Sequence, residues 1–117
     1  MFLQIPGTMD WLKPWEPLKD SGEVYVVELR KELGSQHVLF DVPVRAIARH
    51  VGCDDVLFAT ADPANPLAVV HLTWASRTEP DPRWPCTTLY RNWQDWIERC
   101  LHPDHRNYSG TGDEGAE

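Results

Sequence analysis

The clearest pattern in the chain is the alternation from Leu67 to Trp74. Ala68, Val70, Leu72 and Trp74 fall on one face of an extended strand; Leu67, Val69, His71 and Thr73 fall on the other. Upstream, Val56-Leu57-Phe58-Ala59-Thr60 is a short apolar run that predicts a second strand. Asp62-Pro63-Ala64-Asn65-Pro66 between them has turn composition, so the two strands predict an antiparallel pair. The preceding stretch reads two ways. Val44, Ile47, Ala48 and Val51 have helical spacing, and Pro43 suits a first helical turn. Gly52-Cys53-Asp54-Asp55, however, resembles a hairpin turn leading into the Val56 strand, which favours a strand over 44–50.

A helical period dominates both flanks. Asp20-Ser21-Gly22-Glu23 reads as a helix start with Asp20 as N-cap, and the segment runs to Leu33, where Gly34 suits the C-terminal cap. Val24, Val26 and Val27 pull towards a strand, whereas Glu28 to Leu33 pulls back to a helix. Near the C-terminus, Leu89, Trp93, Trp96, Ile97, Cys100 and Leu101 form one apolar stripe, with Thr87 or Thr88 as the cap. Arg91–Asp95 and Asp95–Arg99 are i,i+4 charge pairs, and Pro103 predicts the end of this helix. Ala75 to Thr88, with Pro80, Pro82 and Pro85, reads as a loop; loops longer than about 12 residues are uncommon in compact domains and often functional.

The expected fold is α+β: a small antiparallel meander of two or three strands, with N-terminal and C-terminal helices packed on one face. The 117 residues suit one domain, expected over 1–106, and exclude a TIM barrel or a full dinucleotide fold. Residues 1–19, broken by Pro14 and Pro17, read as an irregular strap carrying Trp11, Trp15 and Leu18. Met9 offers an alternative start, which would make residues 1–8 a peripheral extension. Residues 107–117 have little to bury beyond Tyr108 and Ala116 and read as a disordered acidic tail.

Charge narrows the partner classes. With 11 Lys+Arg against 18 Asp+Glu, the formal charge of −7 argues against nucleic acid and against an anionic membrane surface. Asp113, Glu114 and Glu117 account for −3 of that, leaving −4 elsewhere. No apolar run approaches the ~20 residues of a membrane helix. The apolar Met1–Gly7 stretch has no basic residues and is too short for a signal peptide. Cys53, Cys86 and Cys100 are odd in number and widely spaced, so the expectation is reduced thiols in a cytoplasm.

Candidate chemistry is sparse. Cys100-Leu101-His102-Pro103-Asp104-His105 offers three zinc ligands in Cys100, His102 and His105, with Cys53 or Cys86 as a fourth, but the spacing matches no finger and Cys100 fits a buried stripe. No metal or cofactor is expected on this reading. Asp54-Asp55 fits a turn and lacks the further oxygen ligands of a calcium loop. Cys86, just before the expected helix, could be a nucleophile beside His71, yet no cysteine-hydrolase signature surrounds it. Trp74, Trp93 and Trp96 read as core. Trp11, Trp15 and Trp84 lie in proline-rich segments, where aromatics either anchor a partner or seal the edge of a small core.

Ala68-Val69-Val70-His71-Leu72-Thr73-Trp74, then Trp84-Pro85-Cys86-Thr87-Thr88-Leu89-Tyr90 and the Trp93–Trp96 helix, together with Asp54 to Phe58, resemble a group of small bacterial proteins of unknown function. The resemblance spans about residues 20–105. It implies a small cytoplasmic α+β protein and brings no activity with it.

Two functions follow. One is a non-catalytic protein-interaction or ligand-binding domain, in one version an inhibitor- or immunity-like cover for a basic partner. Its expected binding residues are Trp84, His71, Thr73, Arg45, Arg77 and Arg83, and its partner is a protein or a small ligand. The alternative is a small hydrolase with His71 as general base and an arginine-bound anionic substrate.

Overall fold

The computed structural model describes residues 2–112. Its elements in order are β1 (Trp15–Pro17), α1 (Glu23–Glu32), β2 (Val44–His50), β3 (Asp55–Thr60), β4 (Leu67–His71), β5 (Cys86–Tyr90), α2 (Trp93–Trp96), a π-helical segment (Ile97–Leu101) and α3 (His102–Gly112). The five strands form one antiparallel sheet in the order β1-β2-β3-β4-β5. The α+β class agrees with the sequence; the expected two or three strands do not. The three central strands were legible. The two missed strands are the edges, and both lie beside prolines, which edge strands tolerate because half of their backbone groups face no ladder.

β5 also displaces the expected helix start. Thr87 and Thr88 belong to the sheet, opposite Val70 and Val69. The helix is capped instead by Asn92, whose side chain accepts from the Asp95 amide at 2.7 Å. Pro103 does not end the helix. The chain widens ahead of it, with the His102 amide donating to the Ile97 carbonyl, and runs on as α3 to Gly112. Residues 107–112 of the expected tail therefore continue α3, and 113–117 lie outside the described residues.

The helices cover opposite faces of the sheet, not one face. Leu29, Leu33 and Leu39 pack with Ala46, Val56, Phe58, Ala68, Val70 and Leu72 on the α1 face. Trp93, Trp96, Cys100 and Leu101 pack with Ala48, Leu57, Ala59, Leu67, Val69 and Tyr90 on the other. A sheet covered on both sides needs apolar residues at every position, which is why β3 reads as a continuous run rather than an alternation. In β2, Ala46 pairs with Phe58 and Ala48 with Leu57, so Ile47 is a bulge that moves the chain from one face to the other.

The N-terminal segment is part of this packing. Trp15 is buried in the core, and Phe2, Leu3, Met9 and Trp11 lie against the same cluster. The Trp93 indole donates to the Gln4 carbonyl at 2.8 Å, and Trp15 donates to Asp104 at 2.8 Å. No helix among the described residues is long and apolar enough to cross a membrane.

Candidate functional site

The end of the sheet where β2 turns into β3 and β4 leaves for β5 collects the chemistry. Asp55, His71 and Cys86 are successive register partners across β3, β4 and β5. His71 follows the parity of Leu67 and Val69, which puts it on the C-terminal helix face; its exposure shows that the helix leaves this end uncovered. The His71 Nδ1 lies 2.7 Å from Asp55 Oδ1. Cys53, on the turn before β3, brings its sulfur within 4.8 Å of ligand atoms of both. Asp55 is therefore the orienting carboxylate for His71 that strand pairing supplies and linear spacing hides.

On the other side of the same end, α1 holds the connection after β4. Glu32 accepts from the amides of Thr73 at 3.0 Å and Trp74 at 2.9 Å. Glu28 accepts from the Ser76 amide at 2.9 Å and its hydroxyl at 3.1 Å. Both glutamates are buried, while Val24 and Val27 of the same helix are exposed. That inverts the usual preference for apolar residues inside. The anchored loop carries Trp74 at φ 58° and Ser76 at φ 56°, a left-handed conformation that costs non-glycine residues energy. Its far end is tied by buried His37. The His37 Nδ1 accepts from the Leu39 amide at 3.0 Å, leaving Nε2 to donate to the Pro85 carbonyl at 2.9 Å.

Trp74, 41% exposed, meets Tyr25 edge-on with ring centroids 6.1 Å apart. Together with Arg49, His50, Asp54 and Asp55 they border a pocket of about 240 Å³.

Burial, followed by the hydrogen bond that its protonated form donates to Glu28, raises the Glu32 pKa above the ordinary glutamate value. The hydrogen bond from Glu32 leads in lowering that of Glu28. A group held low stabilises the fold above its ordinary value and loses that contribution as pH falls through the lowered one. A group held high stabilises it below its ordinary value and loses that contribution as pH rises through the raised one. Stability should therefore decline on the alkaline side as Glu32 ionises beside Glu28. Glu28→Gln removes the facing charge and should flatten that decline. Urea midpoints measured from acidic to neutral pH check this, and superimposable profiles for the two proteins would refute it.

The sequence candidates disperse. His71, Thr73, Arg77, Arg83 and Trp84 all lie at or beyond this end of β4, and Trp84 is exposed. The Arg83 guanidinium is already committed to Asp81, at 2.7 Å from Nη2 to Oδ2. Arg45 pairs with Ala59, four residues along β3 from Asp55, which places it roughly 13 Å away at the opposite end. Cys86 begins a strand and does not precede a helix as expected. Cys100 is buried against Asp104, and burial, with Asp104 adding, pushes its thiol up to about 12. His105 meets the Lys13 carbonyl at 2.7 Å. The zinc string 100–105 is thus divided among separate structural contacts.

Cys53 and Cys86 are exposed, and Cys100 is buried. A thiol reagent at neutral pH should titrate two thiols in the native protein and the third only on unfolding. Cys53 should be the slower of the two, since burial raises its pKa. Three fast thiols would mean that the C-terminal helix does not cover Cys100.

No protein-family model, no curated protein and no solved structure matches this chain.

Proposed function

We propose that this protein is a non-catalytic binding domain whose contact surface is the sheet end formed by the β2–β3 turn, Tyr25, Arg49 and the Trp74 loop. The observation that carries the reading is the loop itself. An exposed tryptophan sits in a costly backbone conformation, and two buried carboxylates hold it there. Side chains that serve only the core have no use for such a device. Strain retained at a surface and offset by buried polar groups is characteristic of recognition sites.

The pocket of about 240 Å³ is smaller than the roughly 300–1,000 Å³ of sites for drug-sized ligands and suits one inserted side chain. A partner protein is thus the favoured ligand. Trp74 acts as a rigid anchor, and Arg49 beside Asp54 gives the polar rim. Trp84, exposed on the same connection, extends the surface. The hydrolase alternative gains Asp55 as an orienting acid, but Arg45 lies at the other end of the sheet and Arg83 is paired with Asp81.

Peptides selected from a displayed random library on the native protein test this reading. They should bind Trp74→Ala at least about tenfold more weakly, as loss of a hot-spot aromatic does. His71→Ala should leave their affinity nearly unchanged. Peptides that bind Trp74→Ala as well as the native protein would overturn the assignment.

A further inference from the structure

We propose that Cys53, Asp55 and His71 form a binding site for a divalent transition-metal ion, with zinc as the chemically matched occupant. A sulfur, a carboxylate oxygen and an imidazole nitrogen lie within 4.8 Å of one another, and among the described residues no other cluster of ligating side chains converges in this way. Three ligands about 2.0–2.3 Å from a tetrahedral zinc lie roughly 3.3–3.8 Å apart, so small side-chain rotations close the set. The mixture of thiolate, imidazole and carboxylate selects zinc over calcium or magnesium, which take oxygen ligands alone.

The scaffold favours the site. Asp55 and His71 face each other across two paired strands in the ladder, so their backbones are fixed before any metal arrives. Cys53 is two residues from Asp55 on a short turn and needs only side-chain adjustment. The exposure of Cys53 and His71 gives the ion an entry path. Binding displaces the thiol proton to solvent, leaving thiolate on the metal; where His71 ligates through Nδ1, the proton it shares with Asp55 leaves that nitrogen and the neutral imidazole carries its hydrogen on Nε2. Three protein ligands leave a fourth position open, as in zinc sites that take water or an outside ligand. Cys53 and Asp55 also border the pocket beside Trp74. The metal site rests on its own ligand geometry and stands whether or not the proposed contact surface binds a partner.

Cobalt(II) added to the metal-stripped full chain is the probe. The expected spectrum has a thiolate-to-cobalt charge-transfer band in the near ultraviolet and visible bands of a low-coordinate ion, saturating at one equivalent and bleached by zinc. Cys53→Ser should abolish the charge-transfer band. His71→Ala should weaken binding by more than the roughly tenfold that loss of even an outer hydrogen-bond partner costs. Cys86→Ser should retain the spectrum. Both Cys53 and His71 are exposed, and circular dichroism confirms that their variants fold. A chain that binds no cobalt, or a band that survives Cys53→Ser but disappears in Cys86→Ser, would overturn the site.

Discussion

Replacing Trp96 by alanine is expected to cost about 3–5 kcal/mol, enough to take most of the stability of a domain this size. Trp96 is fully buried and is the hub of an aromatic cluster. Its ring lies 5.9 Å from Trp11, 5.5 Å from Trp15 and 5.8 Å from Trp93. Those neighbours come from the N-terminal segment, the edge strand β1 and the start of the C-terminal helix, so alanine opens a cavity where three separate pieces of chain meet. The Trp96 indole nitrogen is the one buried side-chain polar atom without a hydrogen-bond partner among the described residues. Trp96→Phe removes that orphaned donor along with some area, so it should cost less than half as much as alanine. Equilibrium denaturation of both variants gives the comparison. A loss under about 1 kcal/mol for alanine would mean that the cluster is not the centre of this layer.

Glu32→Ala is expected to cost about 2–3 kcal/mol and to free the loop after β4. Each hydrogen bond to a charged acceptor contributes about 1.5–3 kcal/mol, and Glu32 accepts two from Thr73 and Trp74. Relief of the unfavourable burial beside Glu28 offsets part of that. The distinguishing readout is local. Amide exchange at Thr73, Trp74 and Ser76 should accelerate far more than at Val69 or Leu57 in the central strands, because only the loop loses its anchor. Uniform acceleration across the sheet would instead make Glu32 an ordinary core residue.

These two residues also mark what the sequence disclosed. The Trp93–Trp96–Cys100 stripe was legible because a helical period with one apolar face has a single economical placement. The strands over 44–50, 56–60 and 67–74 were legible from apolar runs bounded by turn residues, although the last ends three residues earlier, at His71. The edge strands were not. β1 is three residues between prolines, and β5 begins with Cys86-Thr87-Thr88, which reads equally well as a helix cap. The two-sided covering of the sheet was available in principle from the unbroken Val56–Ala59 run, which a half-exposed strand would not tolerate.

The site was the least legible part. His71 was singled out, but its partner Asp55 is sixteen residues away in sequence and opposite it only by strand register. Glu28 and Glu32 entered the sequence reading only as part of a helix-favouring run. The one signal of their burial was the pair of valines at 24 and 27, whose apolar positions fit poorly with a helix burying the face of Leu29 and Leu33. Trp74 read as core because its parity matched Leu72. The strand ends at His71, however, and the left-handed turn at Trp74 carries its side chain out to the surface.

The most direct test of the binding assignment is a backbone amide NMR map of the protein titrated with small fragments that mimic amino-acid side chains. Shifts should concentrate at Tyr25, Arg49, Asp54 and Trp74 and vanish in Trp74→Ala. Shifts confined to the pocket lined by Met9, Leu12, Trp93 and Ile97, or no site-specific shifts at all, would contradict the assignment of the sheet end as the contact surface.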